Sequence, residues 1–270
     1  ASQCLESGAH VIVEKPIAPT HQQFRELFDT ATRCGRHLIE DHNYRFNEPV
    51  RAIEQLIEEG VLGQVRDLEV RLCLGIRSEG SPYSDLTLPH PSHRLPGGAI
   101  HEFITHLSYL ALRFLPSFDR VSAAWSNHGG GDLFKYDDLD ALVIGGPVHA
   151  RIRFSCHSQP DCFSLCVRGS RGYAETDLFW PSLRCVIPRR GGSQLAPLLN
   201  QFAGGIELIG AGLMNLRRKV LGNTPYEGLH LLLARCYEAM LAGEGPPITY
   251  DDMDRTSRLV DALLEETNRL

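Results

Sequence analysis

Lys15, within Glu14-Lys15-Pro16, and Glu102 and His106, within His101-Glu102-Phe103-Ile104-Thr105-His106, are residue types that can move a proton and steady the oxygen it leaves. An imidazole titrates close to neutrality and serves as a general base or acid. An ammonium is a compact donor to one oxygen. At 100° per residue on a helix, Glu102 and His106 stand about 40° apart, so the carboxylate can orient the imidazole. The hexapeptide begins like the zinc-protease pattern H-E-x-x-H, but histidines five apart lie about 140° from one another and cannot share a metal. His90, His93 and His101 form a more remote metal option at loop spacings that identify no ligand, and no metal is assigned. The plain alternatives are an exposed helix pair for Glu102 and His106 and a structural salt bridge for Lys15.

The placement of Lys15 adds weight. The apolar run Val11-Ile12-Val13 reads as a strand ending in Glu14-Lys15-Pro16, and ligands of open α/β sheets bind outside the carboxyl ends of strands. The chain holds three lysines, Lys15, Lys135 and Lys219, against twenty-four arginines, so a lysine at this strand end stands out.

The elements around these residues follow from their patterns. Residues 1–8 read as the end of a helix closed by Gly8. After the first strand, Thr20 with Gln23 three residues on is a capping box, Phe24, Leu27, Phe28 and Ala31 are a core face, and Gly35 ends the helix. A second strand, His37-Leu38-Ile39, gives the order helix, strand, helix, strand of half a doubly wound sheet. From 47 onward the grammar changes. A helix near 47–59 and an alternating strand carrying Leu68, Val70, Leu72 and Leu74 precede a Ser, Pro and His-rich loop at 78–96. In the helix at 98–115, Ile100, Phe103, Ile104, Leu107, Leu110, Ala111 and Phe114 form one buried stripe. Runs near 119–126, 139–145, 148–157, 162–168, 172–179 and 183–187 read as short strands, with Val148, Ala150, Ile152, Phe154 and Cys156 the cleanest alternation. Helical stretches follow near 200–220, 225–242 and 252–268. The fold class is therefore α/β: half of a doubly wound sheet over 1–46, then an α+β lobe over 47–270 with a large, mainly antiparallel sheet. The last helix is placed back against the first lobe.

Composition narrows the function. The 270 residues are 43% hydrophobic and 22% charged, which excludes a disordered or collagen-like chain. The net charge of −6 with scattered basic residues lacks the footprint of a nucleic-acid binder. The eight cysteines form no C-x-x-C pair and read as structural thiols of a reducing, cytoplasmic compartment. No signal segment or 18-residue apolar run is present, so no membrane span is expected.

Several stretches together resemble the Gfo/Idh/MocA family of nicotinamide-dependent oxidoreductases. They are Gly8-Ala9-His10-Val11-Ile12-Val13-Glu14-Lys15-Pro16-Ile17-Ala18, His42-Asn43-Tyr44-Arg45-Phe46-Asn47-Glu48-Pro49 and Gly60-Val61-Leu62-Gly63-Gln64-Val65. Gly97-Gly98-Ala99-Ile100-His101-Glu102-Phe103-Ile104-Thr105-His106 and Pro246-Pro247-Ile248-Thr249 complete the set, in order over nearly the whole chain. The resemblance implies a remnant of a doubly wound Rossmann sheet over 1–46 followed by an open sheet in the second lobe, and hydride transfer between NAD or NADP and a sugar-like alcohol or carbonyl. It implies that Lys15 hydrogen-bonds the reacting oxygen, that His106 exchanges its proton, and that Glu102, where many members have an aspartate, orients substrate and histidine. Glu14 and Pro16 would shape the nicotinamide edge, Asn43 and Arg45 would line the cofactor and substrate cleft, and Tyr83 and Arg94 would join the substrate contacts.

The family's strand followed by G-x-G-x-x-G falls before position 1. The expectation is a fragment lacking the N-terminal half of its Rossmann domain and inactive alone. Gly97-Gly98-Ala99 also replaces a usual run of three glycines. The other reading is a non-catalytic binding or assembly subunit, supported by the apolar stretch from Phe202 to Leu216 before Arg217-Arg218-Lys219. The expected partners are a small sugar-like molecule and further copies of the chain, with the exposed sheet face mediating self-association.

Overall fold

The computed structural model describes residues 1–129, 131, 133–187, 196–221 and 226–265. In the N-terminal part, helix α1 (Ser2–Glu6), strand β1 (Val11–Val13), helix α2 (His21–Cys34) and strand β2 (Leu38–Glu40) follow one another. The N-cap half of the box forms: Thr20 is extended, its Oγ1 accepts the N–H of Gln23 at 3.3 Å, the Gln23 side chain accepts the Thr20 hydroxyl at 3.3 Å, and Gly35 closes α2 at φ 61°. β1 and β2 pair in parallel, Val11 beside Leu38 and Val13 beside Glu40, so both carboxyl ends open on the same side.

Leu5, Phe24, Ala31, Leu38 and Ile39 bury against Leu232 and Cys236 of helix α6 (Glu227–Ala242) and Met253 of helix α7 (Tyr250–Glu265). The N-terminal elements thereby close an apolar core of their own with α6 and α7.

The second core lies under a seven-stranded sheet. Its strands are β3 (Val65–Cys73), β4 (Arg120–Ser126), β5 (Asp138–Gly145), β6 (Val148–Ser155), β7 (Cys162–Gly169), β8 (Tyr173–Asp177) and β9 (Ser182–Val186), in the order β4-β5-β6-β3-β7-β8-β9. Every neighbouring pair is antiparallel except β3 and β6. Alternation decides the faces: Leu68, Val70 and Leu72, with Ala150, Ile152 and Phe154, point inward onto helices α3 (Glu48–Glu58) and α4 (Ala99–Phe114). The other face carries ion pairs, Glu69 with Arg71 at 2.8 Å and Glu175 with Arg184 at 2.9 Å, where the sequence placed a self-association surface.

The large exposed apolar side chains lie instead on helix α5 (Ala196–Val220), beside β9, where Phe202 is 73% exposed and Ile206 72%. Asn215 Nδ2 donates to Pro181 O at 3.0 Å and ties α5 to that edge.

α7 joins both cores. Met253 sits in the first, and Leu259, Val260 and Leu263 sit in the second. Its Asp261 accepts the N–H of His21 at 2.9 Å, and Leu263 O accepts from Trp125 Nε1 at 2.9 Å. The residues after 265 in the expected last helix lie outside the described residues. No described helix is long and apolar enough to cross a membrane.

Candidate active site

α4 starts at Gly98, whose φ of 65° and ψ of −154° belong to glycine alone. Its neighbour Gly97 approaches α7 so closely that a Cβ would stand 2.6 Å from Leu264 Cδ2. This fit of α4 onto α7, with the inward stripe of Ile100, Phe103, Ile104 and Leu107, turns Glu102 and His106 toward the carboxyl ends of β1 and β2.

Lys15 follows β1 and precedes Pro16 across a cis peptide bond. Its Nζ donates to Glu102 Oε1 at 3.1 Å and to Glu102 O at 3.3 Å, and lies 5.6 Å from the centre of the Phe103 ring. Tyr83, from the 78–96 loop, donates its hydroxyl to the same Oε1 at 3.3 Å. His90 packs on Tyr83, ring centres 4.3 Å apart, with Nδ1 4.0 Å from Glu102 Oε2. Burial and then the Glu102 charge push the Tyr83 hydroxyl well up, so it stays a neutral donor.

His106 lies one turn further along α4. Its Nδ1 is 2.8 Å from Tyr109 Oη, with Tyr44 edge-on at 4.9 Å and Phe163 at 6.3 Å between ring centres. Burial, then the Lys15 charge and then His42, hold the imidazole well below its ordinary pKa, so it is neutral and able to accept a proton.

Behind it, Tyr109 donates to Asn43 Oδ1 at 3.2 Å, and the Tyr44 N–H reaches Asn43 Oδ1 at 3.0 Å and Tyr109 Oη at 3.3 Å. His42 stacks on Tyr109 at 4.4 Å. The buried Glu40 carboxylate accepts from His42 Nε2 at 2.7 Å and from the Ile17 N–H at 2.8 Å, linking this layer to the segment just after Lys15.

Several expectations change. Glu102 is engaged by the Lys15 ammonium and Tyr83, and the group against the His106 ring nitrogen is Tyr109; the opposite charge at 3.1 Å draws the carboxylate away from a neutral imidazole. Arg45 does not face the cleft: it pairs with Asp252 of α7 at 3.0 Å, both side chains mostly buried. Arg94 is exposed at the end of a short 3₁₀ turn and Glu14 is exposed beside Lys15, while Pro16 is half-buried.

The three histidines of the metal option do not converge. His90 contacts Ser92 Oγ at 2.8 Å, and His93 Nε2 contacts Tyr83 O at 2.8 Å. His101 is buried on another side of α4, in a cavity lined by Pro16, Ile17, Glu40, Thr105, Thr256 and Asp261, and burial pushes it down to about 4. Sequence reasoning missed Tyr109, Glu40 and His42. The i, i+3 spacing of His106 and Tyr109 was the one available signal for the first.

Residues 1–42 match a family described as an oxidoreductase family with an NAD-binding Rossmann fold. An uncharacterised oxidoreductase of Schizosaccharomyces pombe is 40% identical over 178 residues, which are 63% of this chain and 47% of that protein. The D-glucoside 3-dehydrogenase of Escherichia coli is 41% identical over 61 residues, 23% of this chain and 17% of the enzyme. The matches thus span half or less of these relatives. Among solved structures, the WlbA dehydrogenase of Bordetella pertussis, in complex with NADH and UDP-GlcNAcA, superposes with a TM-score of 0.76 at 14% identity, over 99% of this chain and 73% of that one.

Over residues 1–42 and along these relatives, the likeness is to the Gfo/Idh/MocA oxidoreductases. A dinucleotide in such a fold meets the carboxyl ends of parallel strands. Here those ends present Glu14, Lys15 and Pro16 beside Asp41, whose buried Oδ1 has no hydrogen-bond partner among the described residues. The unpartnered buried carboxyl oxygen beside Lys15 leaves polar groups at these strand ends to which a cofactor's polar edge could hydrogen-bond. The sequence has no G-x-G-x-x-G, and β1 runs through 14–19 to the Thr20 cap of α2, so the glycine turn that holds a pyrophosphate is not built from these residues.

Proposed function

We propose that Lys15, Glu102 and His106 form the proton-handling half of a hydride-transfer site acting on a secondary alcohol or carbonyl of a sugar or polyol, in the protein to which this chain belongs. The observation that carries the reading is the convergence of an ammonium from the end of β1 with an imidazole kept neutral by burial on α4. A bound NAD or NADP would accept or supply the hydride.

In the oxidative direction the substrate hydroxyl accepts a hydrogen bond from Lys15 Nζ and gives its proton to His106 Nε2. Lys15 steadies the negative charge that develops on that oxygen. Glu102 holds the ammonium in place and, with Tyr83, walls the substrate side; in reduction His106 returns the proton.

The division into a cofactor part at 1–46 and a substrate part at 47–270, with α7 shared, belongs to the same reading. Relatives named D-glucoside 3-dehydrogenase and levoglucosan dehydrogenase support a sugar-like substrate. Self-association belongs to it as well, through the exposed apolar side chains of α5.

The test is nicotinamide reduction by the full-length protein with NAD or NADP and a panel of hexosides, polyols and sugar lactols. Turnover that disappears in Lys15→Met and His106→Ala is the expected result. Turnover at the wild-type rate in both variants overturns it.

A further inference from the structure

The hydrogen bonds behind His106 form a closed account of protons. Asn43 Oδ1 accepts the Tyr44 N–H at 3.0 Å, which fixes the amide with its oxygen, not its nitrogen, toward Tyr109. Tyr109 Oη stands 3.2 Å from that oxygen, and two oxygens at this distance need a proton between them, which only Tyr109 has. Its one hydroxyl proton is thereby committed to Asn43.

The 2.8 Å contact between Tyr109 Oη and His106 Nδ1 therefore needs its proton from the imidazole. Burial pushes the Tyr109 hydroxyl well above its ordinary value, so it remains a protonated phenol that can satisfy this count. His106 Nε2 has no hydrogen-bond partner among the described residues. His42, stacked on the Tyr109 ring and anchored by Glu40, holds the phenol in register.

We infer that Asn43 and Tyr109 act as positioning residues that lock His106 in the Nδ1–H tautomer, leaving the Nε2 lone pair free to take a proton. The catalytic consequence rests on His106 being the base of the proposed function; the tautomer itself does not. A histidine whose outer nitrogen already carries the proton has no lone pair there to accept another, so the lock converts a buried imidazole into a ready base at Nε2.

The experiment is nitrogen-detected NMR of the full chain labelled with ¹⁵N-histidine, His106 being assigned by its loss in His106→Gln. In the wild type the neutral ring is expected to show a protonated Nδ1 and a bare Nε2. Tyr109→Phe removes the acceptor and should lower the Nδ1–H population. Asn43→Ala leaves the phenol with no acceptor but Nδ1, so the tautomer should reverse. A wild-type Nε2–H ring, or an unchanged tautomer in both variants, overturns the inference.

In the working enzyme Tyr109→Phe should lower kcat by about 10–100-fold with little change in KM. A full rate in Tyr109→Phe despite an altered tautomer would sustain the lock and sink His106 as the base, which separates the two readings.

Discussion

Lys15 and Glu102 lie 87 positions apart in the chain and 3.1 Å apart in the fold, with only 9% and 22% of their side chains exposed. The contact bolts the end of β1 to the first turns of α4, so the ammonium and the imidazole one turn further on hold a fixed relation. A carboxylate that anchors the lysine does a different task from one that orients the histidine, and the variants should show it.

With cofactor saturating, His106→Ala is expected to slow single-turnover hydride transfer by about 10²–10⁴, and Lys15→Met by as much or more. Lys15→Arg should not restore the rate, because a planar fork does not replace a compact donor at one oxygen. Glu102→Gln should cost about tenfold, since the lysine stays present but loosely held. Wild-type rates in the first two variants would remove the catalytic assignment.

Arg45 and Asp252 give an acid-sensitive clasp between the turn after β2 and α7. Burial works against the Asp252 carboxylate, but the Arg45 charge and the hydrogen bonds from Thr249 outweigh it and hold the group below its ordinary pKa. A depressed carboxyl contributes stability above its unfolded pKa of about 3.9 and loses it as pH falls through the folded value. Arg45→Met should destabilise at neutral pH by about 3 kcal/mol and flatten the acid limb of a denaturation series. An unaltered acid limb would refute the clasp.

Asp41 should act in the opposite sense. Burial first, and then the charge of Glu14, raise its carboxyl to about 6, against the weaker opposition of an Asn43 hydrogen bond and Lys15. The folded state holds this proton where the unfolded state has released it, so stability should fall as pH rises from about 4 to 6. Asp41→Asn should remove that loss, worth about 3 kcal/mol at most for a two-unit shift. Urea denaturation of both proteins at pH 4 and pH 8 measures it; parallel curves would contradict the raised pKa.

The apolar surface of α5 should make the protein associate. Phe202, Ile206, Ile209 and Leu213 are each at least 65% exposed, more apolar surface than a lone soluble helix ordinarily presents. Sedimentation of the full-length protein should give an oligomer, and Phe202→Asp with Ile209→Asp should shift it toward monomer. A wild-type monomer at high concentration would rule out the surface as a self-contact.

Local chemistry was legible in advance. Thr20 and Gln23, Gly35, the α4 stripe from Ile100 to Phe114 and the alternation of Val148, Ala150, Ile152 and Phe154 each encode their structure within a few residues, through caps, helical period and pleat. The family resemblance was readable for a related reason: its motifs are short and occur in order. The sequence could also nominate Lys15, Glu102 and His106, because few residue types can do that chemistry.

Pairing across distance was not readable. Glu102 has one helical position and two candidate partners, His106 on its own helix and Lys15 far along the chain, and the packing of α4 onto α7 and β1 decides for Lys15. Arg45 could face the cleft or α7, and Asp252, itself placed by the turn at Thr249, takes it. Tyr109 reads as one more buried aromatic until Asn43 and His106 converge on its single hydroxyl. Period, caps and motif order are short-range and additive, so the chain alone determined the elements and the chemistry they carry. Which polar atom satisfies which depends on three-dimensional neighbours competing for each buried proton and charge, and that only the tertiary structure decided.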